Sequence, residues 1–522
     1  MQPERYNAST SFLDANLEAG RESHLAIIYQ DNKYTYQDIA AQVNRAGNAM
    51  LRLGLQMEQR VMLALYDSPE FIACFFGAIR AGIVPIPINT MLTSHDYEYL
   101  LNDARATALI VSQPLYEHFA PFLPHLKWLK HIIVVGDAPT GSIAYKDWVN
   151  SESPELTPVD TTADDVCFWL YSSGTTGFPK GAVHLQHDML YAAKHYATNI
   201  LKLHTHDRIY SIAKLFFAYG LGNSMYFPFF SGASAILHPG APTPQAVFEI
   251  ISRHKPTLLF GVPTAYAHIL PEESSSYDFS SLRLCISAGE ALPSALYEKW
   301  HEKFHTEILD GIGSTEGLHI FVSNHANEVR PGSSGKVVAG YEAKIVDDHG
   351  QEVAQGKVGN LIIRGDSTCA YYWNKHEKSK HTIIGEWLHT GDKYIVDKDG
   401  YYWHQGRTDD MLKIGGIWVS PVEIEAALMT HPAVLECAVI GKKDRDNLVK
   451  VKAFVVLKPA SPLASAQKLD EGNTEKLAAE LKEFIKNELA PFKHPHWIEF
   501  VESLPKTATG KIQRFKLRLQ EE

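Results

Sequence analysis

The sequence predicts an α/β protein with a large N-terminal domain of mostly parallel sheets flanked by helices and a small α+β domain at the C-terminus. Three observations predict this architecture. The 522 residues exceed what a single hydrophobic core usually organises. Up to about Gly406, helical patterns alternate with short apolar runs, as in "AVFEIISRHKPTLLFGVPT". Near Asp409 the pattern changes, and we place the domains at residues 1–408 and 409–522.

Composition and charge exclude several classes of function. The chain is 45% hydrophobic and 21% charged, as ordinary soluble proteins are, and its net charge of −11 argues against a nucleic-acid partner. The N-terminal segment "MQPERYNASTSFLDANLEAG" lacks the apolar core of a signal peptide, and no run reaches the ~18 apolar residues of a membrane span. Five scattered cysteines without a CxxC pair indicate buried, reduced thiols. We therefore expect a cytoplasmic protein without a membrane partner.

A loop rich in hydroxyl groups follows the first strongly apolar run of the central region. The run Val166–Leu170 predicts a buried strand, and "YSSGTTGFPKGAV" comes directly after it. Hydroxyls, glycine N–H groups and one lysine are the groups that bind a polyphosphate. The loop is not a P-loop, because Pro179 stands where the glycine before the lysine belongs.

Three later strands share one kind of ending. The segments "TLLFGVPT", "LRLCISAGE" and "TEILDGIGSTE" each run from apolar residues into Gly, Ser and Thr. In open parallel sheets, ligands bind beyond the carboxyl ends of the strands. Together with the hydroxyl-rich loop, these endings predict a nucleotide crevice.

The C-terminal hundred-odd residues have a different pattern. The segments "VLECAVIG" and "VKVKAFVVL" predict two strands, and a helix is expected around Glu475 to Leu489. Between them, Leu457 to Lys476 is polar and rich in Ala and Ser, which is typical of an exposed loop. These elements suffice for a small α+β domain.

Five segments, in this order, resemble the signature segments of the adenylate-forming enzymes: "YSSGTTGFPKG", "DGIGSTE", "WLHTGD", "GRTDDMLKIGG" and "PKTATGKIQR". That family contains acyl-CoA synthetases, the adenylation domains of peptide synthetases and firefly luciferase, and the resemblance spans nearly the whole chain. The segments "GFPKGAVHLQHDM", "FFAYGLGNSMYFPF" and "DGIGSTEGLHIFVSN" are most similar to benzoate–CoA ligases and their aryl relatives.

The resemblance implies an AMP-forming aryl-acid–CoA ligase that uses ATP, Mg²⁺ and coenzyme A. A carboxylate would attack the α-phosphorus of ATP, giving an acyl-adenylate and pyrophosphate. The CoA thiol would then attack the carbonyl carbon, and AMP would leave. Charge builds up on phosphate oxygens first and on the carbonyl oxygen later, so positioned donors and cations are the expected catalytic groups.

The resemblance also implies the nucleotide-binding residues. Thr315 is expected to bond the α-phosphate, and Glu316 to hold Mg²⁺, a hard cation that prefers oxygen ligands. Asp392 would accept the ribose hydroxyls, and Arg407 would contact ribose or phosphate. The residues expected around the β- and γ-phosphates are Ser172, Ser173, Gly174, Thr175, Thr176, Gly177 and Lys180. The adenine-binding walls are expected to be Ala288, Gly289, Glu290, Asp310, Gly311 and Ile312.

The small domain is implied to be mobile and to carry a second set of groups. Of the two lysines in "SLPKTATGKIQR", Lys511 matches the adenylation lysine of the family, whereas Lys506 is expected to be a surface charge. Asp409 matches the hinge about which the domain rotates after adenylation. Gly415 and Gly416 would then border the pantetheine arm, where only a small residue leaves room.

The acid pocket is expected between "FFAYGLG" and "GIGSTEGLHI". Flat aromatic walls with small residues suit an aryl ring. Close relatives often carry Met or Leu where this chain has Gly317, so we expect a larger slot, which leaves benzoate, hydroxybenzoates and other small acids open. The expected lining consists of Phe216, Ala218, Tyr219, Gly220, Ile312, His319 and Ile320.

Other readings of the sequence remain distinguishable. A stand-alone enzyme that loads an aryl acid onto a carrier protein would differ in not using free CoA. A non-catalytic adenylate-binding regulator is disfavoured because Lys511, Glu316 and the phosphate loop are all present. Luciferase-type oxygenation has no support in the sequence. A homodimer is compatible with the sequence, which does not fix the oligomeric state.

We expect Lys511→Ala to abolish acyl-adenylate formation and to spare thioester formation from supplied acyl-adenylate. Gly416→Leu should do the reverse, because its side chain would block the pantetheine path. Pyrophosphate release and CoA-thioester formation from synthetic adenylate measure the two halves separately. Equal loss of both halves in Lys511→Ala would reject the two-state assignment.

Overall fold

The protein is described here by a computed structural model for residues 5–174, 177–408, 410–414, 417–445, 448–458, 471–489, 493–506 and 512–521. Within these ranges the fold is the predicted mixture of parallel sheets with helices, followed by a small α+β part. No helix in them is both long and apolar enough to cross a membrane. All five cysteines are buried free thiols.

Helices occur throughout the described chain. The N-terminal ones are α1 (Ala15–Glu18), α2 (Tyr36–Arg52), α3 (Pro69–Arg80), α4 (Ser94–Ala104), α5 (Tyr116–Phe119), α6 (Tyr145–Asn150), α7 (Asp188–Ala192) and α8 (Ala218–Leu221). The later ones are α9 (Phe227–Ser231), α10 (Pro244–His254), α11 (Pro263–Ile269), α12 (Ser294–Phe304), α13 (His376–Thr382), α14 (Pro421–Met429), α15 (Glu471–Glu488) and α16 (Arg514–Glu521). A π-helical turn, Gly222–Tyr226, joins α8 to α9.

Strands of the first part are β1 (Leu25–Tyr29), β2 (Asn32–Thr35), β3 (Arg60–Ala64), β4 (Val84–Pro87), β5 (Ala108–Ser112), β6 (His131–Val135), β7 (Ile143–Ala144), β8 (Val166–Gly174) and β9 (Gly177–Leu185). They are followed by β10 (Arg208–Ser211), β11 (Ser234–Leu237), β12 (Leu258–Gly261), β13 (Leu284–Ser287), β14 (Ile308–Gly313), β15 (Ile320–Ser323) and β16 (Lys336–Val337).

The remaining strands are β17 (Glu342–Val346), β18 (Gly359–Arg364), β19 (Tyr371–Tyr372), β20 (Ile383–Ile384), β21 (Trp387–Val396), β22 (Tyr402–Arg407), β23 (Leu412–Ile414) and β24 (Ile417–Val419). The last three are β25 (Val434–Lys443), β26 (Val449–Leu457) and β27 (Trp497–Phe500).

A nine-stranded sheet carries the three strand endings singled out in the sequence. Its order is β16-β15-β14-β13-β12-β10-β11-β1-β2, and every pairing from β14 across to β1 is parallel. Since β12, β13 and β14 are parallel neighbours, Gly261, Ser287 and Gly313 all lie toward one edge of the sheet. The three endings therefore meet at one edge, as a crevice at this place requires.

A second sheet, β4-β3-β5-β6-β7, is entirely parallel. Helix α2 begins with a capping box, in which Thr35 accepts from the backbone of Asp38 and the Asp38 carboxylate accepts in return. Helices α2 and α3 approach closely, because a Cβ at Gly77 would lie 2.8 Å from the Val43 carbonyl oxygen and 2.9 Å from the Gly47 nitrogen. Glycine at both positions permits this packing.

Between Lys336 and Arg407 the predicted helix–strand alternation is wrong. Strands β17, β18, β20, β21 and β22 form an antiparallel sheet, and only the short helix α13 interrupts them within this fully described stretch. A tight turn that contains Gly400 joins β21 to β22, and a turn that contains Gly350 reverses the chain directly after β17; their φ angles are +83° and +79°. Such turns reverse the chain within a few residues, so a helical crossover is not needed.

The C-terminal part has its own sheet and core. Strand β25 pairs antiparallel with β26, and β26 pairs in parallel with β27. Helices α14 and α15 pack against this sheet through a cluster that includes Ile424, Leu428, Leu481 and Ile485. Both predicted strands and the predicted helix are confirmed.

A buried carboxylate ties three parallel strands together at the edge opposite the shared endings. Asp207, Thr257 and Arg283 directly precede β10, β12 and β13. The Arg283 guanidinium donates to both Asp207 oxygens at 2.9 and 2.8 Å, and the Thr257 hydroxyl donates at 2.7 Å. Burial would raise the pKa of Asp207, but these hydrogen bonds together hold that pKa below its usual value.

We expect Arg283→Met to lower the free energy of unfolding by about 3 kcal/mol, because it leaves the Asp207 carboxylate buried without its cation. Urea unfolding at pH 7 measures this loss. The contribution of a depressed carboxyl pKa is present above the unfolded-state pKa and is lost as the pH falls, so the difference from wild type should shrink in acid.

Arg253→Met is the matched control, since Arg253 pairs with Asp31 in an exposed ion pair. Such pairs contribute about 0–1 kcal/mol. An equal loss in the two variants would contradict the role assigned to Asp207.

Candidate active site

The carboxylate of Glu316 lies at the centre of the candidate site. Its Oε1 accepts hydrogen bonds from the Ser172 hydroxyl at 2.9 Å and from the Tyr372 hydroxyl at 2.7 Å. Burial would raise the pKa of Glu316, but the nearby Lys180 charge and the two hydroxyl donors together lower it. The carboxylate is therefore ionised at neutral pH and can bind a cation.

Lys180 is held above the ring of Tyr372. Its Nζ lies 4.4 Å from the ring centroid and 3.4 Å from the Tyr372 hydroxyl oxygen. Burial is the largest influence and lowers the pKa of Lys180, Glu316 raises it, and Arg407 is close enough to lower it further. The predicted phosphate-binding lysine thus stands next to the predicted metal-binding carboxylate.

The hydroxyl-rich loop belongs to a β-hairpin. Ser172 on β8 pairs with Lys180 on β9, and Gly174 pairs with Gly177. The side chains of Ser173 and its neighbours up to Phe178 are not described. Several predicted residues lie outside the described ranges altogether: Thr175, Thr176, Asp409, Gly415, Gly416 and Lys511. The other lysine, Lys506, forms an ion pair of 2.5 Å with Glu436.

Asp392 and Arg407 are brought together by the register of β21 and β22. They are direct cross-strand partners, and the Arg407 guanidinium donates to Asp392 Oδ1 at 2.9 Å. Arg407 also donates to the Thr390 carbonyl at 3.1 Å. The two residues that the sequence assigns to the nucleotide are therefore paired with one another in this structure.

The predicted adenine walls follow β13 and form β14. Ala288 is buried, and Gly289 has a φ of +93°, a conformation that favours glycine. Glu290 accepts from the Thr264 hydroxyl at 3.1 Å. Burial raises the pKa of Asp310 to about 8, so this acid is largely neutral at pH 7. Gly311 and Ile312 lie on β14, opposite Ser323 and Val322 of β15.

His319 lies in a nest of aromatic rings. The centroids of Phe227, Tyr196 and Tyr219 are 4.4, 5.2 and 5.5 Å from its imidazole. Burial lowers the pKa of His319 to about 3, so the ring is neutral at physiological pH. Its Nε2 is 3.0 Å from Oδ1 of Asn223, which lies in the π-helical turn between α8 and α9. An uncharged, aromatic environment of this kind suits an apolar ring.

Tyr219 joins this aromatic cluster to the strand ends. Its hydroxyl lies 3.2 Å from both the Gly261 and the Ile286 carbonyl oxygens, at the ends of β12 and β13. Gly220 is required where it stands, because a Cβ there would lie 2.0 Å from the Lys214 carbonyl oxygen. The other expected lining residues are buried or half-buried: Phe216, Ala218, Ile312 and Ile320.

The expected enlargement of the slot at Gly317 is not found. A Cβ at Gly317 would lie 3.0 Å from two ring carbons of Phe321 and 3.3 Å from the Ser314 hydroxyl oxygen. The Phe321 ring fills the space that a side chain at 317 would need, so the glycine opens no cavity there.

Sequence reasoning missed Tyr372, Asn223, His184 and Asp188. Tyr372 comes from the antiparallel region, 56 residues after Glu316, and its "YYWN" segment carries no periodic signal. Asn223 lies in the segment "FFAYGLGNSMYFPF", where an amide within an apolar run has no pattern that distinguishes it from a packing residue. His184 and Asp188 are four residues apart, a spacing that could have indicated a side-chain pair had α7 been predicted to begin there.

Comparisons with known proteins identify the family. The family model described as "AMP-binding enzyme" matches residues 14–373, and the one described as "AMP-binding enzyme C-terminal domain" matches residues 423–511. A benzoate–CoA ligase of Thauera aromatica is 50% identical over 99% of this chain and 96% of the relative.

Two solved structures are also similar. The anthranilate CoA ligase AuaEII, in complex with anthranoyl-AMP, has a TM-score of 0.94 and 45% identity, over 99% of this chain and 98% of that chain. A benzoate CoA ligase from Burkholderia xenovorans LB400 has a TM-score of 0.89 and 42% identity, over 98% of this chain and all of that chain.

We expect Tyr372→Phe to destabilise the protein by about 1.5–3 kcal/mol, because the Glu316 carboxylate loses a hydroxyl donor and hydrogen bonds to charged groups have this magnitude. Thermal unfolding measures the loss. Tyr371→Phe is the matched control, since Tyr371 precedes it on β19 and is exposed. Equal midpoints for both variants would show that Tyr372 does not support Glu316.

Proposed function

We propose, since this chain belongs to the AMP-binding enzyme family, that the protein is an AMP-forming ligase that joins a small aromatic carboxylic acid to coenzyme A. Benzoate is proposed as its principal substrate. The observation that carries the proposal is the uncharged aromatic cluster around His319, which follows the ionised Glu316 by a few residues along the chain. The names of two similar proteins, both benzoate–CoA ligases, support the same substrate.

The proposed reaction has two steps. The acid carboxylate displaces pyrophosphate from ATP, and the CoA thiol then displaces AMP from the acyl-adenylate. Thr315 bonds the α-phosphate, while Ser172, Lys180 and the rest of the hydroxyl-rich hairpin hold the β- and γ-phosphates. Positive charge and hydroxyl donors lower the barrier because negative charge develops on the phosphate oxygens.

Glu316 fits the role of a magnesium ligand. It is a partly buried carboxylate that its surroundings keep ionised, and Mg²⁺ is commonly bound by one or two carboxylates together with substrate phosphates. When bound, the ion would neutralise part of the phosphate charge. Ser172 and Tyr372 both donate to Oε1 and thereby fix the direction of the carboxylate.

Asp392 and Arg407 are proposed to recognise the ribose and a phosphate. A carboxylate can accept from both hydroxyls of a diol, and a guanidinium suits a phosphate. Because the two side chains are ion-paired at 2.9 Å, nucleotide binding has to compete with their contact. The adenine is proposed to lie against the residues after β13 and along β14: Ala288, Gly289, Glu290, Asp310, Gly311 and Ile312.

We place the domain boundary between residues 408 and 409, with Asp409 as the hinge. The antiparallel sheet ends at Arg407, and Asp410 is already tied to the C-terminal helix α16, at 2.7 Å from Arg518. In the proposed cycle the small domain first presents Lys511 for adenylation. After rotation it presents Gly415 and Gly416 to the pantetheine arm. Closure of the small domain over the site also excludes water from the adenylate.

Other aryl acids are the nearest alternatives. The similarity to an anthranilate CoA ligase favours an ortho-amino substituent as a second candidate, and hydroxybenzoates differ from benzoate by one polar group. Loading onto a carrier protein instead of CoA is a further alternative. We assign the protein to the cytoplasm, where ATP and CoA are available and where the five buried thiols stay reduced.

The proposal is tested by CoA-thioester formation with ATP and Mg²⁺, with AMP measured as the co-product. The acids compared are benzoate, hydroxy-, amino- and fluorobenzoates, cinnamates, cyclohexanecarboxylate and medium-chain fatty acids. We expect benzoate to have the highest kcat/KM and fatty acids to have values at least about tenfold lower. A tenfold difference in kcat/KM corresponds to about 1.36 kcal/mol of transition-state binding.

The outcomes separate the two parts of the proposal. A fatty or bulky acid in first place would leave adenylation intact and refute the aryl pocket around His319. Acyl transfer to a carrier protein but not to free CoA would refute the CoA ligase assignment.

A further inference from the structure

The turn that carries Thr315 and Glu316 is held from outside at three consecutive carbonyls. His184 Nε2 lies 2.9 Å from the Thr315 carbonyl oxygen. The backbone N–H of Cys369 donates to the Glu316 carbonyl at 2.7 Å. The Ser367 hydroxyl donates to the Gly317 carbonyl at 2.9 Å. Each anchor comes from a different part of the chain than the turn itself.

The turn needs these anchors because its backbone is unfavourable. Leu318, the residue that ends it, has a φ of +67°, and it is fully buried. A leucine rarely adopts this left-handed conformation, which persists only where the surroundings enforce it. Without external hydrogen bonds, the peptide planes on either side of Glu316 would relax toward another arrangement.

Of the three groups that bond these carbonyls, His184 contributes a side-chain ring, and this ring is itself fixed on two sides. Its Nδ1 lies 2.7 Å from Asp188 Oδ2, and neither side chain has any solvent exposure. The same carboxylate oxygen accepts from the Leu185 backbone N–H at 3.2 Å. The imidazole also stacks on Phe168, with a 5.1 Å centroid distance and a 17° angle between planes. Its direction is therefore determined before any substrate binds.

The hydrogen on Nε2 follows from the partner. A carbonyl oxygen can only accept, so the Nε2–H of His184 must donate to Thr315. The short contact between Nδ1 and the Asp188 carboxylate holds one further proton between these two groups, and it orients the ring so that the Nε2 donor faces the turn.

We propose that His184 and Asp188 are a positioning pair for the adenylation step: they fix the Thr315 carbonyl and thereby orient Thr315 and Glu316 toward the phosphates. The proposal rests on the proposed function and adds two residues to it. Neither residue touches the substrate in this account. A misplacement of about 1 Å in a catalytic group can lower a rate by about 100-fold. Residues that position Thr315 and Glu316 without contacting the substrate therefore have a measurable effect on the rate.

Two amide variants separate the two contacts of the ring. His184→Gln places its NH₂ near the position of Nε2 and keeps a donor for the Thr315 carbonyl. His184→Asn reaches only the position of Nδ1 and leaves that carbonyl with the Leu318 backbone N–H, at 3.2 Å, as its remaining donor. Both remove the ring and neither carries a charge, so the two variants differ in which contact the amide keeps, that with Thr315 in His184→Gln or that with Asp188 in His184→Asn.

We expect His184→Asn to lower kcat for adenylate formation about tenfold or more, as the loss of one hydrogen bond allows, and His184→Gln to remain within about threefold of wild type. Benzoate-dependent exchange between pyrophosphate and ATP measures this step. Thioester formation from supplied benzoyl-adenylate should change little in either variant. The Mg²⁺ concentration for half-maximal rate should rise in His184→Asn only.

Asp188→Asn is a second variant that keeps the side-chain shape. Its amide oxygen, held by the Leu185 N–H, accepts from Nδ1–H and leaves a neutral ring without a hydrogen on Nε2. We therefore expect the same selective loss of adenylation. Tyr36→Phe is the control for a buried hydrogen bond, since the Tyr36 hydroxyl donates to the Ala233 carbonyl at 2.6 Å, away from the turn. Its kcat should equal that of wild type.

The failure of this proposal differs from failure of the proposed function. If wild-type protein forms no aryl-CoA, the proposed function is wrong. If wild type is active and His184→Asn equals His184→Gln in the exchange rate, or if each variant loses both half-reactions equally, the positioning pair is wrong.

Discussion

The hydrogen-bonded carboxylate of Glu316 connects three distant parts of the chain. Ser172 comes from the β8–β9 hairpin, Glu316 from the turn after β14 and Tyr372 from β19, and the two hydroxyls converge on one oxygen. Desolvating a carboxylate is costly unless charges and donors compensate. Lys180 supplies the charge. If the lysine or the two hydroxyls were removed, the Glu316 carboxylate would lose the groups that keep it ionised, and metal binding requires the ionised form.

The same arrangement separates two chemical environments within a short distance. On one side, Lys180, Glu316 and Arg407 form a charged region suited to phosphates. On the other side, His319 is neutral and surrounded by aromatic rings, which suits an apolar ring and not a second charge. An aromatic acid has this same division between ring and carboxylate. The turn from Ser314 to Leu318 lies between the two regions and carries residues of the charged one.

Much of the site was predictable because its residues lie where the chain pattern is strongest. The ends of β12 and β13 were recognisable because apolar runs stop at small residues, and parallel pairing then brings them to one edge. The hydroxyl-rich hairpin stood out by composition. Tyr372 could not be found in this way, since the tyrosine side chain suits core, surface and site equally. The pairing of Asp392 with Arg407 depends on the register of β21 and β22, which spacing alone does not give.

The antiparallel region between Lys336 and Arg407 was mispredicted for a physical reason. Short apolar runs look alike in parallel and antiparallel strands, and only the connections distinguish them. Turns at Gly350 and Gly400 replaced the helices that the alternation led us to expect. The region supplies Tyr372, which the sequence did not indicate, and it brings Asp392 and Arg407, which the sequence did indicate, into direct contact.

The measurement that tests the central claim most directly is exchange of labelled pyrophosphate into ATP, with benzoate present and CoA absent. If the acid is activated as an adenylate before the thiol enters, exchange will depend on benzoate and Mg²⁺ and will not require CoA. Exchange that requires CoA, or a reaction that releases ADP and phosphate, would contradict the account.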